Sequence, residues 1–282
     1  MVTVTLLGIA QDGGRPQAGC VKQCCHDIAR EDWSYPVSLG IIGDDGKGHL
    51  IEASRHLTDQ LQIWGNNEIS SVWLTHAHLG HVDGLGLFGK ETMGKTGLNL
   101  HLSESMLNLV HNNPFWKALL DQNVFIPTTF EDTDEITLDS GFSIQAVKVP
   151  HRDELSDMHA FLLKGEKKNL LFLPDHDTWK ETLDFHGVDT IRGFLSKFEV
   201  DIALIDGTFW SSNELSGRFQ HEVPHPPISQ TLEMLGSKNE RDPDIFFIHL
   251  NHTNPLYFDG PERKILLDSG WKIGVQGSVF EL

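Results

Sequence analysis

The sequence contains no apolar run long enough to span a bilayer. It also lacks a cationic leader: it starts Met1-Val2-Thr3-Val4-Thr5-Leu6-Leu7, which alternates like a strand. A cytoplasmic protein is therefore expected. Basic residues are scarce, 22 Lys and Arg against 40 Asp and Glu, for a formal charge of −18. A field of that sign repels phosphate backbones and anionic lipid, so neither nucleic acid nor a membrane is expected as a partner. Cysteine is limited to Cys20, Cys24 and Cys25. Three thiols so close together do not make a disulfide framework; they suggest a reducing compartment and a metal cluster. There is no low-complexity segment, tandem repeat or Pro/Gly/Ser-rich linker. The chain reads as a single domain, 1–282, with two similar halves of about 1–140 and 141–282. Its oligomeric state is not legible.

Histidine is abundant, with sixteen in the chain, and it is the commonest metal ligand. Apolar patterning predicts strands over Val2–Gly8, Val37–Gly43, His49–Glu52 and Ser71–Thr75 in the first half. It predicts helices from His56 to about Trp64 and over Ser103–Asn112. The second half repeats the scheme. Strands are expected over Phe142–Val149, His159–Lys164, Asn169–Leu173, Val200–Ile205, Ile245–Leu250 and Trp271–Val275. Helices are expected over Gly187–Lys197, Ile228–Leu235 and Pro261–Asp268. Strand runs alternating with single helices, twice over, fit an α/β chain of two sheets packed face to face with helices outside.

The strongest motif is Thr75-His76-Ala77-His78-Leu79-Gly80-His81, directly after a predicted strand. Three imidazoles at a strand-to-helix turn can converge on one side, and neutral imidazole suits zinc, iron or manganese. His151, Asp175 and His249 also fall at predicted strand ends, where rigid elements place ligands and loops shape the substrate pocket.

Spacing and order together resemble the metallo-β-lactamase superfamily, and within it the PqqB-like and PhnP-like group. The segments that carry the likeness are Leu7-Gly8-Ile9-Ala10-Gln11-Asp12-Gly13-Gly14, the cysteine cluster, Leu173-Pro174-Asp175, Leu204-Ile205-Asp206-Gly207-Thr208-Phe209 and His249-Leu250-Asn251-His252-Thr253-Asn254-Pro255. The resemblance implies an αββα sandwich, with two mixed sheets face to face. It implies one metal on His76, His78 and His151 and a second on His81 and His249, with Asp175 bridging. The family motif has an aspartate before its third histidine, where this chain has Gly80. The second position is then weakly occupied, empty, or completed by a nearby carboxylate such as Asp83. PhnP-like proteins also imply a structural zinc on Cys20, Cys24, Cys25 and His252, with His26 as the local rival for fourth ligand.

The resemblance implies metal-assisted hydrolysis, in which a metal-bound water becomes hydroxide near neutral pH. His225, oriented by Asp206, is the candidate general acid, by analogy with the carboxylate–histidine pair of phosphodiesterase branches. Capping the following helix or lining a wall is the simpler role for His225. The expected activity is hydrolysis of a small phosphodiester, cyclic ones included. One or two active-site divalent metals are expected, zinc ahead of manganese or iron, besides the structural zinc. The first alternative is a PqqB-like role in pyrroloquinoline-quinone biosynthesis, as an iron-dependent oxygenase. Against it, PqqB proteins lack the first two histidines, which are present here as His76 and His78. The second alternative is a degenerate, non-catalytic metal binder. His49, His56, His101, His111, His186 and His221 show no partner pattern. His159 could act only behind a ligand; His176 or Asp177 could orient a ligand, with a solvated loop the simpler reading.

Overall fold

The computed structural model describes residues 1–66, 68–214 and 223–282, so His221 lies outside the described residues. The first half supplies β1 (Thr3–Gly8), β2 (Ser38–Ile42), β3 (Gly48–Ile51), β4 (Ile69–Trp73), β5 (Leu98–Ser103) and β6 (Phe125–Phe130). Then follow β7 (Glu135–Leu138), β8 (Phe142–Val149), β9 (Met158–Lys164), β10 (Asn169–Leu173), β11 (Ile202–Asp206), β12 (Asp244–Ile248), β13 (Lys272–Ile273) and β14 (Val279–Glu281). They form two seven-stranded sheets, ordered β14-β1-β2-β3-β4-β5-β6 and β13-β12-β11-β10-β9-β8-β7. In each sheet an antiparallel edge passes into four parallel strands, β3 to β6 and β10 to β13.

Strand periodicity explains the layers. Successive side chains point to opposite faces, so Val4, Leu6, Leu39, Ile41, Ile51 and Trp73 of the first sheet meet Ala146, Phe161 and Phe172 of the second. The intervening Leu50, Val72, Leu100 and Leu102 face the other way. They pack on α1 (Leu57–Trp64), α3 (Glu104–Asn112) and α4 (Pro114–Asp121), while the short α2 (Leu79–Val82) carries His81. The run Leu170–Leu173 is buried on both faces, because α5 (Trp179–His186), α6 (Ile191–Lys197), α7 (Ile228–Leu235) and α8 (Pro261–Asp268) cover the second sheet. This is the αββα arrangement.

Several element boundaries shift by one or two residues from expectation, and two larger differences have local reasons. The helix expected from Gly187 starts at Ile191, because Gly187 at φ 64° ends α5 as its left-handed cap and Thr190 Oγ1 caps α6 by accepting from Gly193 N–H. The closing strand shrinks from Trp271–Val275 to Lys272–Ile273, and Gly274 N–H still donates to the Phe247 carbonyl.

His49 and His101 are structural. The two nitrogens of His49 lie 2.8 Å from Ser71 Oγ and 3.0 Å from Ser140 Oγ, and His101 stacks on Trp73 at 3.8 Å. Burial lowers His49 to about 4, whereas an unfolded histidine titrates near 6.5. The unfolded chain therefore takes up its proton first as pH falls. The contribution of His49 is complete above about pH 6.5 and is lost as pH drops toward about 4, to the order of 2–3 kcal/mol. Urea unfolding at pH 7 and pH 4.5 checks this: His49→Gln is expected to be less stable at pH 7 but to lose less on acidification.

Candidate metal centre and active site

The site lies at the C-terminal ends of the strands, where parallel sheets open their loops. His76, His78 and His81 follow β4, His151 follows β8, Asp175 follows β10 and His249 follows β12. Asp206 is the last residue of β11. The structure brings these residues into one buried cluster. His76 Nε2 and His151 Nε2 lie 2.9 and 3.3 Å from His78 Nδ1. Donors arranged tetrahedrally around zinc, each about 2.0–2.1 Å from the ion, would stand about 3.3 Å apart, so this trio has the spacing of a ligand set. Asp175 Oδ1 faces that trio, 3.8 Å from His151 Nε2, and its Oδ2 lies 3.3 Å from His81 Nε2 and 3.5 Å from His249 Nε2. One carboxylate thus spans both groups.

Three of the rings, His76, His249 and His151, are set in the tautomer a ligand needs. The Thr75 hydroxyl donates to Glu52 Oε1 at 2.5 Å and receives His76 Nδ1–H at 2.9 Å, which leaves Nε2 as the lone-pair donor. The other half of the fold uses the same device. The Thr208 hydroxyl donates to Asp206 Oδ1 at 2.7 Å and receives His249 Nδ1–H at 2.8 Å. Asp177 accepts from His151 Nδ1 at 3.0 Å and from Arg152 N–H at 3.2 Å, so it orients a ring nitrogen rather than sitting in a solvated loop. Such outer partners fix ligand geometry and basicity. Burial, together with the facing imidazoles of His81, His78 and His151, holds His76 well below its ordinary range and therefore neutral. Glu52 and His249 have φ of 66° and 60°, in the left-handed region, and both are buried. This backbone turns each side chain off its strand end into the cluster.

His225 lies beside this cluster, with Nδ1 2.7 Å from Asp206 Oδ2. Burial works against a charge on the ring, yet Asp206 raises its pKa above the ordinary value. His225 also lines a cavity of about 490 Å³ with Asp177, Ser211, Pro226 and Gln230. Cavity and donor cluster are therefore adjacent.

The cysteine cluster forms a second donor set. Cys24 Sγ and Cys25 Sγ lie 3.4 and 3.3 Å from His252 Nδ1, and Cys24 Sγ lies 3.8 Å from Cys20 Sγ and 3.9 Å from Cys25 Sγ. Those sulfurs are too far apart for disulfides, with S–S of about 2.0 Å, and match tetrahedral thiolates about 3.8 Å apart around zinc at about 2.3 Å. His26 takes no part: its ring is exposed and pairs with Asp27 at 2.9 Å. Asp83 is likewise engaged elsewhere, 2.5 Å from Arg55 on the surface. His159 contacts Asp132 at 2.7 Å, and His176 Nδ1 lies 2.9 Å from Thr182 Oγ1.

Two residues that sequence reasoning passed over also belong to the cluster. Glu52 is fully buried, with Oε1 3.4 Å from His81 Nδ1. Asp12, in the loop after β1, has Oδ1 3.3 Å from His81 Nε2 and 3.6 Å from His249 Nε2. The only sequence signals were a strand-end acid for Glu52 and a Gly-rich loop next to Asp12.

A family model described as a β-lactamase superfamily domain matches residues 50–249, and the chain belongs to that superfamily. Among curated proteins, it is similar to coenzyme PQQ synthesis protein B of Gluconobacter oxydans, 26% identical over all of this chain and 99% of that protein. Among solved structures, Zn2+-bound PqqB from Methylobacterium extorquens superposes with a TM-score of 0.78 at 21% identity, covering 99% of this chain and 100% of the other. A diphosphatase from the PhnP family superposes at 0.69 with 18% identity, covering 100% and 97%. The fold is that of the metallo-β-lactamases. Among the described residues, no helix is long and apolar enough to cross a membrane.

Proposed function

We propose that this protein is a metal-dependent hydrolase of a small phosphodiester, cyclic diesters included. The observation that carries the reading is the pair of donor groups bridged by Asp175, with the His225–Asp206 pair beside them at the wall of a cavity. His76, His78 and His151 would hold one divalent metal, His81 and His249 a second, with Asp175 shared. Cys20, Cys24, Cys25 and His252 would hold a structural zinc. Three ring nitrogens 2.9–3.3 Å apart around His78 Nδ1 have the spacing of donors around a common cation. Zinc, or manganese or iron in its place, would supply Lewis acidity and a water acidified to near neutrality. The chain's own residues do the rest. Asp206 fixes Nδ1 of His225, so Nε2 is the atom that hands a proton to the departing oxygen. Asp177, Thr75 and Thr208 hold the ligand rings in register. Similarity in fold to a PhnP-family diphosphatase favours phosphorus chemistry, although fold alone does not choose among chemistries. The bound cations would offset the chain's negative charge locally. Phosphodiester breakdown by a cytoplasmic protein acting on small molecules, rather than on nucleic acid or a membrane, is the consistent picture.

A second reading, a role in pyrroloquinoline-quinone synthesis with iron and oxygen, draws on the full-length similarity to coenzyme PQQ synthesis protein B. One experiment separates the two. Protein purified without added metal is assayed for element content, for turnover of bis(4-nitrophenyl) phosphate and 2′,3′-cyclic nucleotides, and for oxygen uptake. Zinc or manganese with chelator-sensitive ester hydrolysis is the expected result. Iron with oxygen uptake and no ester hydrolysis would replace the first reading by the second. A metal-loaded protein that does neither would leave only a non-catalytic metal binder.

A further inference from the structure

Gly80 cannot donate to a metal, which leaves the His81–His249 position one oxygen short. We propose that Asp12, from the loop after β1, supplies that oxygen and completes the second metal position with His81, His249 and Asp175. This rests on the metal-centre reading above and adds a ligand to it.

The geometry carries the assignment. Asp12 Oδ1 lies 3.3 Å from His81 Nε2 and 3.6 Å from His249 Nε2; Asp175 Oδ2 lies 3.3 and 3.5 Å from the same two nitrogens. The two carboxylates therefore flank one pair of imidazole nitrogens at the separations of donors around a common cation. Asp12 Oδ1, Asp175 Oδ2 and His249 Nε2 are buried, and none makes a well-formed hydrogen bond. Buried polar atoms of native proteins are normally satisfied. Two carboxylate oxygens and two imidazole nitrogens, free of their Nε2 protons once a cation binds, would make a charge-neutralising, mixed N/O set for a divalent ion such as zinc.

The loss at position 80 and the gain at position 12 are a single steric event. A Cβ built on Gly80 would sit 2.4 Å from Asp12 Cα and Oδ1 and 2.6 Å from Asp12 Cβ. Asp12 fills the volume that a side chain at position 80 would occupy, and the contact includes backbone that cannot rotate away. The two arrangements exclude each other: an aspartate on α2, or glycine there with an aspartate from the β1 loop. The loop is also anchored for the purpose. Gln11 N–H donates to the Leu250 carbonyl at 2.9 Å and Leu250 N–H to the Ile9 carbonyl at 2.8 Å. Asp12 is thereby held beside the segment that bears His249.

The test is metal stoichiometry, read independently of turnover. Protein loaded with zinc, dialysed and measured by element analysis is expected to retain about three ions per chain, two at the active site and one at the cysteines. Asp12→Asn keeps the shape but removes the anionic donor. It is expected to retain about two, the cysteine-site ion included, with binding of the lost ion weakened by at least about 100-fold in a titration with zinc alone. Gly80→Ala, which drives the loop away, is expected to lose the same ion, whereas Asp12→Glu keeps a carboxylate and should retain more of it than Asp12→Asn. Asp12→Asn with all three ions at unchanged affinity would overturn the assignment and leave the hydrolase reading standing. Wild-type protein with no active-site metal would overturn both. If Asp12→Asn also sheds the cysteine-site ion, Asp12→Glu decides: affinity equal to wild type supports the assignment, and loss equal to that of Asp12→Asn removes it.

Discussion

Asp175→Ala is expected to lower phosphodiester turnover by at least about 10³-fold and to cost the protein metal. Loss of an outer partner of a ligand weakens metal binding or activity by about 10–100-fold; loss of a shared ligand removes more. Asp175 faces His151 with one oxygen and His81 and His249 with the other. Without it the two donor groups have no common anion. Five imidazoles then crowd together with less negative charge to offset two dications, so both ions should not remain. The cysteine-site ion is remote from Asp175 and should stay. Element analysis before and after dialysis, paired with turnover, checks both halves of the expectation. Full metal content with full activity would remove Asp175 from the centre.

His225→Ala should behave differently, retaining metal while losing roughly 10²–10⁴ in kcat, the usual scale for a general acid. The size of the loss should depend on the leaving group. A 4-nitrophenolate is stable without a proton, so bis(4-nitrophenyl) phosphate should be affected little. A diester with an aliphatic alkoxide leaving group needs the proton and should show the full effect. A residue that merely capped α7 or lined the wall would lower both substrates alike, and that outcome would return His225 to a structural role. Asp206→Asn is less clean, because Asp206 also receives the Thr208 hydroxyl that sets His249.

Much of this site is legible in the sequence because its candidate ligands sit at the ends of apolar strands. His76, His78 and His81 declare themselves by spacing. His151, Asp175 and His249 do so by following runs that alternate or are wholly apolar, and the structure brings all six together. The remainder depends on packing between distant segments, which spacing does not encode. Asp12 meets His81 only because the β1 loop crosses onto Leu250, and Asp177 meets His151 only because the loops after β8 and β10 join across the end of β9, where Asp177 N–H donates to the Pro150 carbonyl at 2.9 Å. Glu52 resembles any acid at the end of a strand until its burial is known. Among the secondary elements, α4 was missed although Asn113 accepts from Phe115 and Trp116 N–H and Pro114 starts the helix. The half-exposed β6 lacks the apolar alternation that marks a core strand, and β7 alternates over only four residues with none of them buried.

The left-handed backbone at Glu52 and His249 has a thermodynamic consequence. Each such conformation in a residue with a Cβ costs of order 1–3 kcal/mol, and glycine would adopt it far more cheaply. The fold therefore bears a standing strain at two points of one cluster, offset by the contacts around them, which include Glu52 N–H to the Trp73 carbonyl at 2.9 Å. A ligand that binds the folded chain and not the unfolded one adds stability that grows with the logarithm of its free concentration. With a metal centre of the kind proposed, folding and metal loading would form one linked equilibrium. A melting temperature describes it only at a stated free-metal concentration, and chelation should act as a denaturant acts, lowering the midpoint before any bond in the core is disturbed.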